Sequence, residues 1–198
     1  MFRLRGIVGP QDQAARIATL EKIITDQREL LARHLGDSDP TRVAQIFCPY
    51  KEVLDDYNAG LRVPDDVTIV WPDDNFGYIR RFATDAERER SGGLGVYYHL
   101  SYLGAPFSWL WVDSLSPALV WSEMTRAYEQ GARRFWVGNV GDFKGQELSA
   151  EFVLDLAWHA DRTSLDAAQI RALGAACHPI AHDLADARRM MRRVSSAE

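Results

Sequence analysis

The sequence predicts an α/β protein of about five parallel β/α units, a partial (β/α)8 barrel of the TIM type followed by C-terminal helices. Three observations lead there. Short apolar runs alternate with segments of helical hydrophobic period, a pattern that calls for crossover connections between parallel strands. The runs are mostly apolar at successive positions, as strands covered on both faces require. No glycine-rich phosphate fingerprint opens a helix, because Gly92-Gly93-Leu94-Gly95 precedes a strand and reads as a turn. A dinucleotide-binding sheet therefore loses to a barrel.

The elements follow in chain order. Phe2–Arg5 is expected as a short strand ending at Gly6 and Gly9-Pro10. Residues 11–35 carry Ile17, Leu20, Ile24 and Leu31 at the spacing of an amphipathic helix, and Gly36 is its expected stop. After a turn over 37–40, residues 43–47 form the second apolar run. Pro49 suits the first turn of a short helix over 50–59, which Gly60 ends. Pro64-Asp65-Asp66 introduces a third strand over 67–71 that halts at Pro72. Residues 84–90 read as a short charged helix and 96–99 as the fourth strand. Ser116-Pro117 opens a long helix to Gln130, with Leu119, Met124 and Ala127 on one side and Gly131 as its stop. The fifth strand runs from Arg134 or Phe135 to Gly138. Residues 151–158 form a helix with Phe152, Leu156 and Trp158 apolar. Two more helices are expected over 164–176 and 183–193, the first opened by Thr163-Ser164-Leu165-Asp166, which resembles a capping box. The Arg188, Arg189, Arg192, Arg193 cluster is expected as a solvated face. The division is then 1–160 for the barrel portion and 161–198 for a helical tail.

The 198 residues, 46% hydrophobic and 26% charged, suit one globular domain or a large piece of a bigger one. A net charge of −5 argues against nucleic acid as a partner, since phosphate binding needs a basic surface. The apolar runs are too short to span a bilayer, so no membrane partner is expected. Met1–Arg5 lacks a signal-peptide core, which makes a cytoplasmic location the default. Cys48 and Cys177 lack metal-ligand spacing and read as two reduced thiols, with one disulfide as the alternative.

Chemistry-bearing residues collect just after the strands. Tyr50 and Lys51 follow the second; Asp73, Asp74, Asn75, Tyr78 and Arg80 follow the third. His99, Ser101 and Tyr102 end the fourth, and Asn139, Asp142 and Lys144 end the fifth. Barrel enzymes build their sites at these C-terminal strand ends. Bland alternatives stand beside each. Asp and Asn are turn formers anyway. His99 could be a core histidine with one satisfied bond, and Asn139 could bond its own turn. Tyr97 and Tyr98 cannot share a strand face, so one of them belongs to the core. The six tryptophans are mostly packing, but Trp109 and Trp111 fall in a long loop over the rim, where indole faces suit a sugar ring. Arg80, Arg81 and Lys51 could receive a carboxylate-bearing ligand or pair with Asp73 or Glu52. The spacing of His99, Asp73 and Asp142 gives no specific support for a metal site; no metal and no cofactor is expected.

Several segments carry a resemblance: Arg5-Gly6, Tyr50-Lys51-Glu52-Val53, Val63-Pro64-Asp65-Asp66-Val67-Thr68, Asp73-Asp74-Asn75-Phe76-Gly77-Tyr78-Ile79-Arg80, Gly95-Val96-Tyr97-Tyr98-His99, Asn139-Val140-Gly141-Asp142 and Phe152-Val153-Leu154-Asp155-Leu156-Ala157-Trp158. In order and spacing, from about Arg3 to Trp158, the chain resembles glycoside hydrolase family 115. The resemblance implies a xylan α-1,2-glucuronidase that removes glucuronic acid or its 4-O-methyl ether by inversion. It also implies a (β/α)8 catalytic domain inside a larger chain, with glucuronoxylan or decorated xylooligosaccharides as partner. Inversion needs one carboxylic acid at the leaving oxygen and one carboxylate activating water. On this reading Asp73 is the acid and Asp74 its positioning neighbour. Asn139 and His99 hold sugar hydroxyls, with Asn75, Tyr78 and Asp142 on the same rim. Arg80 or Lys51 receives the uronate carboxylate, and Asp113 or Glu123 is the second carboxylate.

The chain departs from the family pattern in three places. It starts within the expected barrel, Ile7-Val8-Gly9-Pro10 replaces an acidic turn, and the similarity is expected to fade after about His159. Five strands cannot close an eight-stranded barrel, so a truncated or remnant enzyme is expected, with little activity as an isolated chain. The alternative is a catalytically inactive remnant that binds a sugar acid.

Overall fold

The computed structural model describes residues 12–35, 39–104, 107–108 and 114–161. The expected strand at Phe2–Arg5, the stop at Gly36, Trp109, Trp111, Asp113, Cys177 and the helices after 162 lie outside these residues. Helix α1 (Gln13–Leu35) leads into a 3-10 turn at Pro40–Arg42, strand β1 (Ile46–Phe47) and helix α2 (Glu52–Asn58). Strand β2 (Thr68–Pro72), helix α3 (Asp85–Arg88) and strand β3 (Leu94–His99) follow. A small hairpin, β4 (Leu103–Gly104) and β5 (Phe107–Ser108), precedes helix α4 (Pro117–Glu129), strand β6 (Phe135–Asn139) and helix α5 (Glu147–Trp158).

β1, β2, β3 and β6 form a four-stranded parallel sheet in that order, while β4 and β5 pair antiparallel. The α/β class is therefore as the sequence predicts. Register decides the rest. Ile69 pairs with Leu94, Trp71 with Val96, Val96 with Trp136 and Tyr98 with Gly138, so these positions share one face. That face packs α1 and α2 against Ile69 and Trp71, and α4 and α5 against Val96 and Tyr98. The opposite face carries Val70, Pro72, Gly95, Tyr97, His99 and Asn139. Long helices on a single face mark a sheet curving toward a barrel, whereas a doubly wound sheet is covered on both. The fold is a partial TIM-barrel-like sheet. The inner face is incompletely covered at its edges, where Ile46 and Phe135 are exposed. Among the described residues no helix is long and apolar enough to cross a membrane.

Local chemistry explains where boundaries differ from expectation. Asp39 accepts the Thr41 N–H with Pro40 next in line, so a 3-10 turn takes residues 40–42 and β1 is shorter than 43–47. Lys51 has φ 55° and ψ −123°, which bars a helix from running through 50–51, and Pro49 is buried ahead of α2 instead of opening it. β2 takes in Pro72, whose missing N–H falls at a strand end. Leu94-Gly95 belongs to β3, not to a turn, and a Cβ on Gly95 would meet the Phe135 carbonyl of β6. Thr84 and Glu87 form a full capping box, yet α3 is one turn and stops at Arg88. α5 starts at Glu147, earlier than 151. Val120, with Met124 and Ala127, supplies the buried face of α4; Leu119 is half-buried. Trp158 is exposed rather than core. Tyr98 is the core tyrosine and Tyr97 faces the other side.

α1 has no fully buried residue, so its placement leans on half-buried Ile17, Leu20 and Ile24 and on ion pairs, of which two involve its own arginines. Arg16 reaches buried Asp56 at 2.7 Å, and Arg28 reaches Asp66 at 2.7 Å. The α4 seam is the deeper one. Met124→Ala is expected to lower unfolding free energy by about 2–5 kcal/mol in urea denaturation, whereas Leu154→Ala, on the exposed side of α5, stays within about 0.5 kcal/mol.

Candidate active site

The rim is organised by the turn after β2. Asp73 leaves the strand with its side chain fully enclosed. Its Oδ1 shares a hydrogen bond with Nδ1 of buried His99, the last residue of β3, and its Oδ2 accepts the Gly77 N–H at 3.1 Å. Its own N–H donates to the Tyr97 carbonyl at 3.1 Å, extending the β2–β3 pairing by one step. With Nδ1 committed to Asp73, Nε2 is the atom His99 retains for other partners.

Asp74 is spent on the turn itself. Oδ1 accepts N–H groups from Phe76 at 2.9 Å and Tyr78 at 3.1 Å, and Oδ2 receives Arg80 at 2.7 and 2.6 Å. Arg80 is largely exposed and lies over the Tyr78 ring at 5.1 Å, so Arg80, Tyr78 and Asp74 form the outer side of the turn. Two positive φ values let the chain fold back so tightly: Asn75 at 73° and Gly77 at 87°. A Cβ on Gly77 would come within 2.9 Å of the Tyr98 hydroxyl, which donates to the Gly77 carbonyl at 2.8 Å.

Neighbouring elements clamp the same turn. The Tyr50 hydroxyl donates to Asn75 Oδ1 at 2.5 Å. On α4, Glu123 Oε2 accepts the Ile79 N–H at 2.7 Å, and Arg126 donates to the Ile79 carbonyl at 3.0 Å while pairing with Glu123 at 3.2 Å. Glu123, weighed in the sequence as a second carboxylate, is thus a fastening for the turn. A carboxylate on the apolar side of α4, between Val120 and Met124, is the sequence signal for such a task.

Around His99 stand three phenols. The ring centroids of Tyr97, Tyr50 and Tyr102 lie 4.6, 5.7 and 5.7 Å from the imidazole. Asn139, paired with His99 in register, donates from Nδ2 to the Tyr97 hydroxyl at 2.6 Å and so bonds across strands. Lys51 Nζ donates to the Tyr102 hydroxyl at 3.0 Å and lies over the Tyr50 and Tyr102 rings at 5.2 and 5.3 Å. A cleft of about 150 Å³ opens between Asn75, Phe76, His99, Ser101, Tyr102 and Leu115. Asp142 is exposed in the turn after β6. Arg81 pairs with Glu87 at 2.8 Å and stacks on Trp71 at 4.0 Å, on the helix-covered side.

The electrostatics favour neutral groups in this wall. Burial holds the Tyr50 phenol above its usual range, with the Tyr102 and Tyr97 phenols adding to it and the Asn75 bond opposing. Burial also raises Tyr97. Among the described residues Cys48 has no disulfide partner, and its thiol is pushed up to about 12 by burial, then by the Asp73 charge, so it stays protonated at neutral pH. Sequence reasoning missed Tyr97 as a rim residue, because strand parity alone could not say which of two tyrosines faced inward. Among the described residues no cluster of His, Cys, Asp and Glu could hold a metal ion.

Helices on one face of a parallel sheet, with polar side chains gathered at its C-terminal rim, define the class of barrel enzymes that work at strand ends. The model of glycosyl hydrolase family 115 matches residues 3–174, and the chain belongs to that family. The match runs beyond His159, where similarity was expected to fade. Among solved structures the chain is similar to BtGH115A, a family GH115 4-O-methyl-α-glucuronidase described as specific for decorated arabinogalactans. The two share 45% identity with a TM-score of 0.77, across 87% of this chain and 22% of that one. No curated protein matches.

Two measurements check this geometry. Tyr98→Phe leaves the buried Gly77 carbonyl without its donor and is expected to cost about 1–3 kcal/mol in denaturant unfolding. With Cys177→Ser as background, Cys48 should resist a disulfide-exchange thiol reagent at pH 8 while folded and react at once in denaturant. Rapid labelling of the native chain would contradict a thiol held protonated by its surroundings.

Proposed function

We propose that this chain supplies the acid–base part of an inverting α-glucuronidase site that removes glucuronic acid or 4-O-methylglucuronic acid from xylan. The observation that carries the reading is the enclosed Asp73–His99 pair at the C-terminal rim, inside a wall of phenols and beside a lysine. Family membership and the glucuronidase neighbour support the sugar acid as the group removed. In the reaction, water attacks the anomeric carbon as the bond to the leaving xylose oxygen breaks. One group gives that oxygen a proton and another takes a proton from water. Asp73 is assigned to the first task, hydrogen-bonded to His99 Nδ1; Asp74 builds the turn that fixes it. His99, Asn75 and Asn139 hold hydroxyls, Asp142 lies further along the rim, and the phenols give the sugar an aromatic wall. A carboxylate outside this pair serves as the base.

The polymer carrying the uronate is the finer question. The neighbour is described as acting on decorated arabinogalactans, and the same rim would take the same sugar from either carrier. A second reading, a non-catalytic binder of sugar acids, is favoured by one observation: both Asp73 oxygens are occupied and enclosed, so a ligand meets His99 and the tyrosines first.

The test incubates the chain with 4-O-methylglucuronoxylan oligosaccharides and with decorated arabinogalactan, following release of the acid and its anomeric form by NMR. The catalytic reading expects release of the inverted anomer, slow as the sequence predicts for an isolated chain, and reduced by a further 10²-fold, roughly, in Asp73→Ala. Glucuronate binding without release favours the binder. Neither binding nor release at millimolar ligand removes both readings.

A further inference from the structure

The cations near the rim differ in one respect. Arg80 pairs with Asp74, Arg126 with Glu123, Arg81 with Glu87 and Lys144 with Glu147. Lys51 pairs with no carboxylate among the described residues, its neighbour Glu52 included. The residue is half-buried, and its ammonium donates to the Tyr102 hydroxyl and lies over two phenol rings. Those partners are phenols, and burial above all keeps that of Tyr50 protonated. Phenol faces attract a cation but leave its charge uncompensated. An ammonium on a half-buried residue is costly to leave unpaired, and it reaches this position on a backbone at φ 55°, ψ −123° that side chains rarely adopt. The strained residue immediately follows Tyr50 in the loop after β1 and caps α2, where a bond from the Leu54 N–H to the Lys51 carbonyl at 2.9 Å fixes it.

Position adds the ligand. Tyr50 and Tyr102, which flank the ammonium, are the same rings that flank His99, each 5.7 Å from it. Tyr102 and His99 line the cleft together. A ring-shaped polyol held against these phenols would meet the imidazole on one side and the ammonium on the other. A single negative charge on that ring answers the one rim cation that meets no carboxylate among the described residues.

We propose that Lys51, and not Arg80, is the specificity-determining residue of this rim, binding the carboxylate of a hexuronate while Tyr50 and Tyr102 hold the sugar ring. The assignment rests on the glucuronidase reading above. Lys51 selects the charged sugar over its neutral counterpart, and Tyr102 aims the ammonium through the hydroxyl bond. Arg80 is turned outward and held by Asp74, so it contributes to the turn and not to the ligand.

The experiment titrates the full chain with sodium glucuronate, glucose and sodium acetate, observed by tryptophan fluorescence and ligand NMR. It uses wild type, Lys51→Met, Lys51→Arg, Arg80→Met and Lys22→Met, whose folding is checked by thermal melting. Wild type should prefer glucuronate to both other ligands. Lys51→Met should weaken glucuronate by about 10-fold or more, the worth of a charge-assisted hydrogen bond, and leave glucose binding unchanged. Lys51→Arg should restore most of the preference, Lys22→Met should match wild type, and the salt dependence of glucuronate binding should vanish in Lys51→Met alone. Unchanged glucuronate affinity in Lys51→Met, or a loss confined to Arg80→Met, overturns the assignment and leaves the glucuronidase reading standing. Equal binding of acetate and glucuronate overturns it as well, because the site is then a general anion site. Failure of wild type to bind any of the three overturns both.

Discussion

An enclosed carboxylate sets the geometry of this rim. Asp73 cannot sit without partners where no solvent reaches it. One oxygen therefore goes to His99, which ties the end of β2 to the end of β3, and the other goes to the Gly77 N–H, which folds the chain back on itself. Once Gly77 is fixed, its carbonyl is presented to Tyr98, and the intervening Asn75 is presented to Tyr50. A single burial requirement thus links strands β2 and β3, the loop after β1 and the turn between them.

The second constraint is the one-sided covering of the sheet. Register puts Ile69, Trp71, Val96 and Tyr98 under α1, α2, α4 and α5, so the other face is left for Tyr97, His99 and Asn139. Strand parity then assigns neighbouring tyrosines to different work: Tyr98 is core and a turn fastening, and Tyr97 stands beside the imidazole. Glu123 and Arg126 extend the covering helix into the loop, so the packed layer holds the rim from behind. Both groups act through the backbone of Ile79, which leaves the side chains around the cleft to others.

Charge is unevenly distributed over these few elements. Asp74, Glu123, Glu87 and Glu147 each meet a cation, and their partners are arginines or a lysine that pack or point outward. Among the described residues the inner wall instead carries phenols, amides, an imidazole and the Lys51 ammonium. Neutral groups with hydroxyl hydrogens suit a ligand made of hydroxyls, because each can donate or accept. The ammonium supplies a feature that phenols cannot, a preference for one charge.

The amino-acid sequence by itself determined the alternation of strand and helix, the stops at Gly60 and Gly131, the short charged helix that became α3 and the gathering of polar residues after the strands. These are local matters: periodicity, φ preference and turn chemistry are written in neighbouring residues. The family motifs around Asp73, His99 and Asn139 were legible for the same reason. The division of labour among those residues was not. Asp73 and Asp74 are adjacent and chemically alike, and only the packing of β3 beside β2 made one the partner of a histidine and the other the anchor of an arginine. Likewise nothing local separates Arg80 from Lys51 as an anion receiver. Their difference is a matter of which carboxylate or phenol lies within reach, and those partners come from positions 74 and 102, on different loops. Distances between segments far apart in the chain belong to the tertiary structure, and at this rim those distances assign the roles.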